Sequence, residues 1–416
     1  MRSIRPTHKL TKILPAVFLA FALVPAAWGG AKYKVLHNFG AGKDGTNPAG
    51  ALVLDGKGHL YGMTGGGGTG RCSDYGCGTV FELVPRTEVT WREVVLHSFS
   101  AGSDGSRPNG GLIVDGRGNL LGTVAGDGNL AVGGVIKLSL GREGWTNTVL
   151  YSDNAGPGLL SDTMGNLYGE IGPGDYFHIG AIGELSPGSN GWTYTDLFNF
   201  NPTVGYAPPA PPIWDGLGNL YGSTSMGGIG QPACWTAEGC GVIFKMTVNR
   251  NGTWTYHILH RFASYATDGQ SPNGGLAMDA SGNLYGVAVY GGVNNRGRVF
   301  KLTFSGGHWK ETTLYDFPNC ADGCYPAGTP AFDKAGNLYA TASGGLGDCG
   351  GFTCGVVFKL SPQQNGKWKY SVVYKLHGTD GNFLPYGVIV DSKGNIFGTT
   401  SAGGTYNSGV AFEITP

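Results

Sequence analysis

The residues best equipped for chemistry are eight cysteines that fall as four close pairs: Cys72 and Cys77, Cys234 and Cys240, Cys320 and Cys324, Cys349 and Cys354. Tetrahedral zinc needs four convergent ligands, usually with two-residue gaps, and these gaps are three to five residues. Neighbour-to-neighbour disulfides in an exported chain are the expectation instead, with cross-pairing between the last two pairs as the alternative. Three of the four staples enclose an aromatic residue: Tyr75, Trp235 and Phe352. Each ring could stack on a sugar ring or a peptide side chain, or fold back over its own disulfide. A second set is the Asp-Gly-x-x-Pro pattern of Asp44, Asp104, Asp268 and Asp322, and of Asp380, where the loop is one residue longer. These carboxylates could take a calcium ion or hydrogen-bond sugar hydroxyls, or simply form Asx turns before proline. His37, His97 and His260 share one repeat position with Tyr151, Phe198, Tyr315 and Tyr374, so a packed planar ring explains them. No P-loop, His-Glu-x-x-His or Gly-x-Ser-x-Gly element is present, and no acid–base pair, catalytic residue or organic cofactor is assigned.

The elements that must position these residues come from a repeat. Asp55-Gly-Lys-Gly-His-Leu-Tyr-Gly62 recurs from Asp115, Asp162, Asp215, Asp279, Asp333 and Asp391. Each copy lies in a unit of four β-type runs, as in Val94–Phe99, Gly111–Asp115, Asn119–Thr123 and Gly134–Leu138. Short alternating runs rich in aromatic and β-branched residues, with no 3.6-residue period, mean strands. Four strands repeated seven times, with no helix to cover a sheet, predict an all-β, seven-bladed β-propeller with four antiparallel strands per blade. The Asp-x-x-Gly-Asn element is the hairpin between the first and second strands, its Asp a turn former and its Gly at positive φ. Calling the run that ends in Asp strand a, the segment Tyr33–Phe39 is a fourth strand with no blade before it. It is expected to pair with Gly409–Thr415 and close the ring, which leaves no long edge open. In this arrangement the b-to-c and d-to-a loops share one face, where the stapled aromatics and the Asp-Gly loops gather. The repeated Tyr61, Tyr168, Tyr221, Tyr285 and Tyr339 read as packing between blades.

Composition bounds the rest. Lys plus Arg and Asp plus Glu both number 28, so the basic footprint of a nucleic-acid binder is absent. Gly and Pro total 77 and 22, but a hydrophobic fraction of 41% is enough to bury a core. Arg2, Arg5, Lys9 and Lys12 precede an apolar run from Ile13 to about Trp28, the pattern of a signal peptide over residues 1–30. Residues 31–416 are then expected as a single propeller domain, exported, with no further membrane span.

On these motifs the units resemble the GloVer tandem repeat of secreted bacterial proteins. Its pattern runs Leu-His-x-Phe, Asp-Gly-x-x-Pro-x-x-Gly-Leu, Asp-x-x-Gly-Asn-Leu-Tyr-Gly-Thr-Thr, Gly-Gly, Gly-x-Val-Phe-Lys-Leu. The match covers residues 33–416 and weakens in the third repeat, where Gly180-Ala-Ile-Gly-Glu-Leu185 replaces the last motif. Relatives often end in a surface-sorting anchor, whereas this sequence ends at Ala411-Phe-Glu-Ile-Thr-Pro416. The resemblance implies a secreted repeat protein and no particular enzymatic activity. The expected role is binding of an extracellular glycan or surface protein through Tyr75, Trp235, Phe352 and the Asp-Gly loops. The alternatives are a propeller enzyme acting on polysaccharide or a lactone, with Asp104 and Asp268 converging at the axis, or a structural envelope protein.

Overall fold

The computed structural model describes residues 30–416 apart from 41, 73–74, 88–89, 101, 127–132, 173–178, 229–233, 235–238, 264–267 and 345–353. Among the described residues there is no helix. The strands form seven antiparallel sheets, each ordered a-b-c-d from one edge to the other. In blade 1 these are Val53–Leu54, Leu60–Gly66, Thr79–Pro85 and Trp91–Ser98. Blade 7 takes strands a to c from Ile389–Val390, Ile396–Thr400 and Val410–Thr415, and its outer strand from Lys32–Asn38 at the other end of the chain. The expected closure is therefore present, with Tyr33 opposite Ile414 and Val35 opposite Phe412.

The repeated residues explain the blade. In every a–b hairpin the Asp Oδ1 accepts two backbone N–H groups, as Asp55 does from Lys57 and His59 at 2.8 Å each. Gly58 then takes φ of 87°, which a side chain resists. The tyrosines on strand b are buried as expected, and their hydroxyls also donate to the hairpin Asp, Tyr285 to Asp279 at 2.9 Å. Next along strand b, glycine makes room for the phenylalanine of strand c. Gly62 pairs with Phe81, and a Cβ there would lie 2.5 Å from the ring. Gly222, Gly286 and Gly398 do the same for Phe244, Phe300 and Phe412. Nine of the largest fully buried side chains are phenylalanines, so the core is a ring of such contacts.

Blades are joined to one another by the Asp-Gly-x-x-Pro loop. The residue before the proline has positive φ although it is not glycine: Asn47, Arg107, Ser271 and Tyr325. Its N–H donates to the blade before, Arg107 to the Cys77 carbonyl at 2.9 Å and Ser271 to the Cys240 carbonyl at 2.9 Å. The proline then fills a niche over a glycine of that blade, so a Cβ on Gly78 would sit 2.6 Å from Pro108 Cδ. The outer strands add a second joint. Tyr33, Tyr194, Tyr256 and Tyr370 stack on Tyr374, Tyr151, Phe198 and Tyr315 of the preceding blade, with centroids 4.0–5.2 Å apart.

Where the preceding blade carries His37, His97 or His260 instead, the stacking position holds Glu93, Asn147 or Glu311. The histidine position thus does more than hold a packed ring. His37 pairs with Asp44 at 2.9 Å, His97 with Asp104 at 3.3 Å and His260 with Asp268 at 3.2 Å.

Candidate functional site

Four of the five Asp-Gly carboxylates are turned toward their own loop or the strand before it, and Asp322 is the exposed exception. Asp44 also accepts from the Gly40 N–H, Asp104 from the Ser100 N–H and hydroxyl, and Asp268 from the Ala263 N–H. Asp380 accepts from the Tyr374 hydroxyl at 2.6 Å and Asp322 pairs with Lys375 at 2.8 Å. Each follows a different outer strand, so the five are spread around the ring. Among the described residues no group of three or more His, Cys, Asp or Glu is placed to hold a metal ion.

Cys72–Cys77, Cys234–Cys240 and Cys320–Cys324 are bonded neighbour to neighbour, so the last of these excludes cross-pairing with the remaining pair. Cys354 is also disulfide-bonded, whereas Cys349 lies outside the described residues. Disulfides of this kind belong to an oxidising compartment. Two of them end on the residues, Cys77 and Cys240, whose carbonyls latch the next blade. Of the three stapled aromatics Tyr75 is 79% exposed, and Trp235 and Phe352 lie outside the described residues.

The d-to-a chain runs beside the end of strand b before it turns inward, as Pro48 opposite Thr64 and Gln270 opposite Tyr290 show. It then reaches the axis, where glycines let neighbouring blades touch through backbone alone. A Cβ on Gly110 would lie 2.4 Å from Gly158 N, and one on Gly328 2.1 Å from Gly387 N. All seven blades contribute to the axial opening of about 320 Å³, and among the described residues its lining of Gly, Pro and Ala, with Leu112, Ile113, Leu159, Asn273, Thr329 and Tyr386, contains no carboxylate. Asp104 and Asp268, 3.3 and 3.2 Å from their histidines, are not in that lining.

A larger cavity, about 740 Å³, opens on the loop face across blades 2 to 4 and shares Pro157, Pro209 and Asn273 with the axial opening. Its walls are Gly156, Gly172, Gly180, Pro157, Pro208 and Pro209, with polar groups from Asn109, Asn154, Ser225 and Asn273. Among the described residues its one acid is Glu170, the last residue of strand b in blade 3, Leu167–Glu170. The matching position holds Met63, Thr123, Ser223, Val287, Thr341 or Thr399 in the other blades. There the hydroxyls tie strand b to a neighbouring backbone, as Ser223 does to the Gly274 carbonyl and Thr399 to the Gly50 carbonyl.

Glu170 makes no such tie. Its carboxyl is wedged against Gly156 and Gly180, where a Cβ would come within 2.0 and 2.4 Å of its oxygens, and no protein group among the described residues hydrogen-bonds it. Burial without a partner favours the neutral acid and pushes it up to about 7. Asn109 Oδ1, also in the wall, is buried with no donor. Sequence reading missed Glu170. The only signal was an acid where the repeat carries a hydroxyl or an apolar group, in the one blade whose motif decays.

A ring of seven four-stranded blades with its loops gathered over one pocket defines a β-propeller with a loop-face cavity. The chain belongs to the Gloeobacter/Verrucomicrobia repeat family, whose model matches residues 20–233 and 231–416. No curated protein matches it. Among solved structures it is similar to an ancestral GH74 enzyme, at 11% identity and a TM-score of 0.56, over 92% of this chain and 50% of that one. It therefore spans about half the length of that enzyme. It also resembles a candidate 6-phosphogluconolactonase from Bacteroides fragilis NCTC 9343, at 15% identity and a TM-score of 0.47, over 86% of this chain and 98% of that one. At such identities the likeness is one of fold alone. Among the described residues no helix is long and apolar enough to cross a membrane.

Proposed function

We propose that this is a secreted binding protein that holds a glycan in the loop-face pocket, anchored by Glu170. The observation that carries the reading is a buried carboxyl, without a hydrogen-bond partner among the described residues, in a cavity of about 740 Å³. A neutral carboxyl both donates and accepts, as do the amides of Asn109 and Asn273, and sugar hydroxyls answer both roles. The buried Asn109 Oδ1 needs a donor that a hydroxyl would supply. Tyr75, Trp235 and Phe352 on the staple loops would extend the contact by stacking. Glycoside hydrolysis ordinarily uses two carboxyl groups roughly 5–10 Å apart. Among the described residues of this lining Glu170 is the only acid, so the reading proposed is retention of a sugar and not its cleavage.

The test is thermal unfolding of the mature chain against soluble polysaccharides, each with calcium and with chelator, repeated on Glu170→Thr. Threonine is the residue blades 2, 6 and 7 carry at this position, so the fold accepts it. A ligand at 100 times its Kd adds about 2.7 kcal/mol if it binds only the folded state. The expected result is a selective shift that Glu170→Thr abolishes. No shift with any glycan would sink the glycan reading and move weight to a protein ligand, and release of reducing ends would make the protein an enzyme.

A further inference from the structure

The face opposite the loops carries the a–b and c–d hairpins, and adjacent blades part there to leave grooves. Three are open: about 380 Å³ between blades 2 and 3, 520 Å³ between blades 4 and 5, and 570 Å³ between blades 5 and 6. All three have the same construction. The first blade contributes a lysine from strand c, Lys137, Lys245 or Lys301, and the second a half-buried tryptophan from the start of strand d, Trp192, Trp309 or Trp368.

The other interfaces lack this pair and are occupied by their own side chains or lack the indole. Where strand c carries Glu82, His59 bonds it at 2.7 Å. Where it carries Glu184, Trp214 packs against Tyr168 and Trp254 and fills the space. At Glu413, Lys34 pairs with the acid and lies over the Trp91 ring. Lys359 faces the outer strand Lys32–Asn38, which has no tryptophan.

What the open grooves offer is also alike. Among the described residues none of the three indole N–H groups meets a protein acceptor, and none of the three lysines forms an ion pair. Lys245 and Lys301 lie over the Tyr221 and Tyr285 rings at 5.6 and 5.3 Å. The hairpin carboxylates are spent: Asp215 accepts from the Leu217 and Asn219 N–H groups, the Asn219 amide and the Tyr221 hydroxyl. Each groove thus presents a flat ring, free donors and few free acceptors, while acids and bases along its lining nearly balance. The middle groove is rimmed by Leu217 and Phe304, exposed by 86% and 58%, the latter packed on the Trp309 ring, so its apolar side is wider than in the other two. An apolar face ringed by acceptor oxygens, without net charge, is what a pyranose offers.

We propose that these three grooves are equivalent seats for sugar rings of a neutral polysaccharide, separate from the loop-face pocket. Three seats on one rigid ring make a polymer bind far more tightly than a short oligosaccharide, because the second and third contacts are intramolecular.

The test is electrophoresis of the native mature chain through gels containing β-glucan, dextran or galactomannan, with polygalacturonate as the charged control. The variant is Lys137→Glu/Lys245→Glu/Lys301→Glu, which installs the residue blades 1, 3 and 7 already carry at this position and so preserves the fold. Trp309→Ala, checked by its unfolding curve, tests the stacking ring independently.

The expected result is retardation by at least one neutral polymer, weakened at least tenfold in the triple variant and severalfold in Trp309→Ala, while a trisaccharide of the same sugar competes only weakly. Glu170→Thr, which addresses the other face, leaves this groove-dependent share in place, so each site can fail without the other. Retardation that survives the triple variant unchanged, retardation by polygalacturonate alone, or none in any gel would overturn the proposal.

Discussion

At the scale of single residues the molecule is governed by polar groups placed where water does not reach. Glu170 and Glu93 are both pushed up to about 7 by burial, Glu93 with help from the nearby Asp44 charge. The ordinary glutamate value is 4.5, so between that pH and about 7 the folded chain keeps a proton that the unfolded chain has released. The stability this proton represents is fully present below about 4.5 and is lost as pH rises through about 7. For Glu170 the full swing is up to about 3 kcal/mol. Urea unfolding at pH 5 and pH 8 should therefore show the native chain losing more stability across that interval than Glu170→Gln, and equal losses would refute the assignment. His37 and His97, lowered chiefly by burial, act with the opposite sign but equally in both proteins, so the difference isolates Glu170. The hairpin aspartates were legible as turn formers from Asp-x-x-Gly-Asn alone. Glu170 was not, because what sets it apart is burial against Gly156 and Gly180, and burial at one position of a repeat has no letter in the sequence.

At the scale of elements, the repeated motifs are the parts of a joint. Asp-Gly-x-x-Pro binds a ring through its aspartate, latches the preceding blade through the N–H before its proline, and seats the proline over that blade's glycine. Gly78 has φ of 92°, and a Cβ there would lie 2.3 Å from the Thr64 carbonyl and 2.6 Å from Pro108. Gly78→Ala should cost about 2 kcal/mol or more, combining backbone strain with a clash that neither neighbour can relieve. Gly56, in a hairpin with nothing within 4 Å, is the control, and Gly56→Ala should leave the unfolding midpoint within about 0.5 kcal/mol of the native one. Similar losses from both would show that the joint is dispensable. The four strands of each blade could be counted from alternation, but the joint could not, since its donor and acceptor lie in successive repeats. The exchange of stacked rings for His with Glu or Asn is visible in the letters only once the structure says which positions face each other.

The whole molecule depends on one strand that is remote in sequence. Lys32–Asn38 supplies the outer strand of blade 7, the Tyr33 stack on Tyr374 and the Tyr33 hydrogen bond to the Asp380 carbonyl. Removing residues 31–39 would expose the edge of Val410–Thr415 and one face of blade 6. Such a chain should lose its cooperative transition or associate through the open edge, measurable by calorimetry and sedimentation. A monomer with native unfolding would show that closure is ornamental. The repeat, its period and the hairpin signals by themselves determined the strands, the number of blades and the ring closure, because turn chemistry and alternation are local and recur seven times. The pairing of cysteines within single loops was likewise readable from short patterns. Only the tertiary structure decided which polar groups line a cavity and which are consumed within the fold. Four of the five Asp-Gly carboxylates, suggestive in sequence, are held by their own loop or the strand before it, and the fifth, Asp322, pairs with Lys375 of the next outer strand. The pocket around Glu170 and the Lys–Trp grooves arise instead where two or three blades meet, and the physical reason is that a site of this kind is a property of the gaps between repeats, which no single repeat contains.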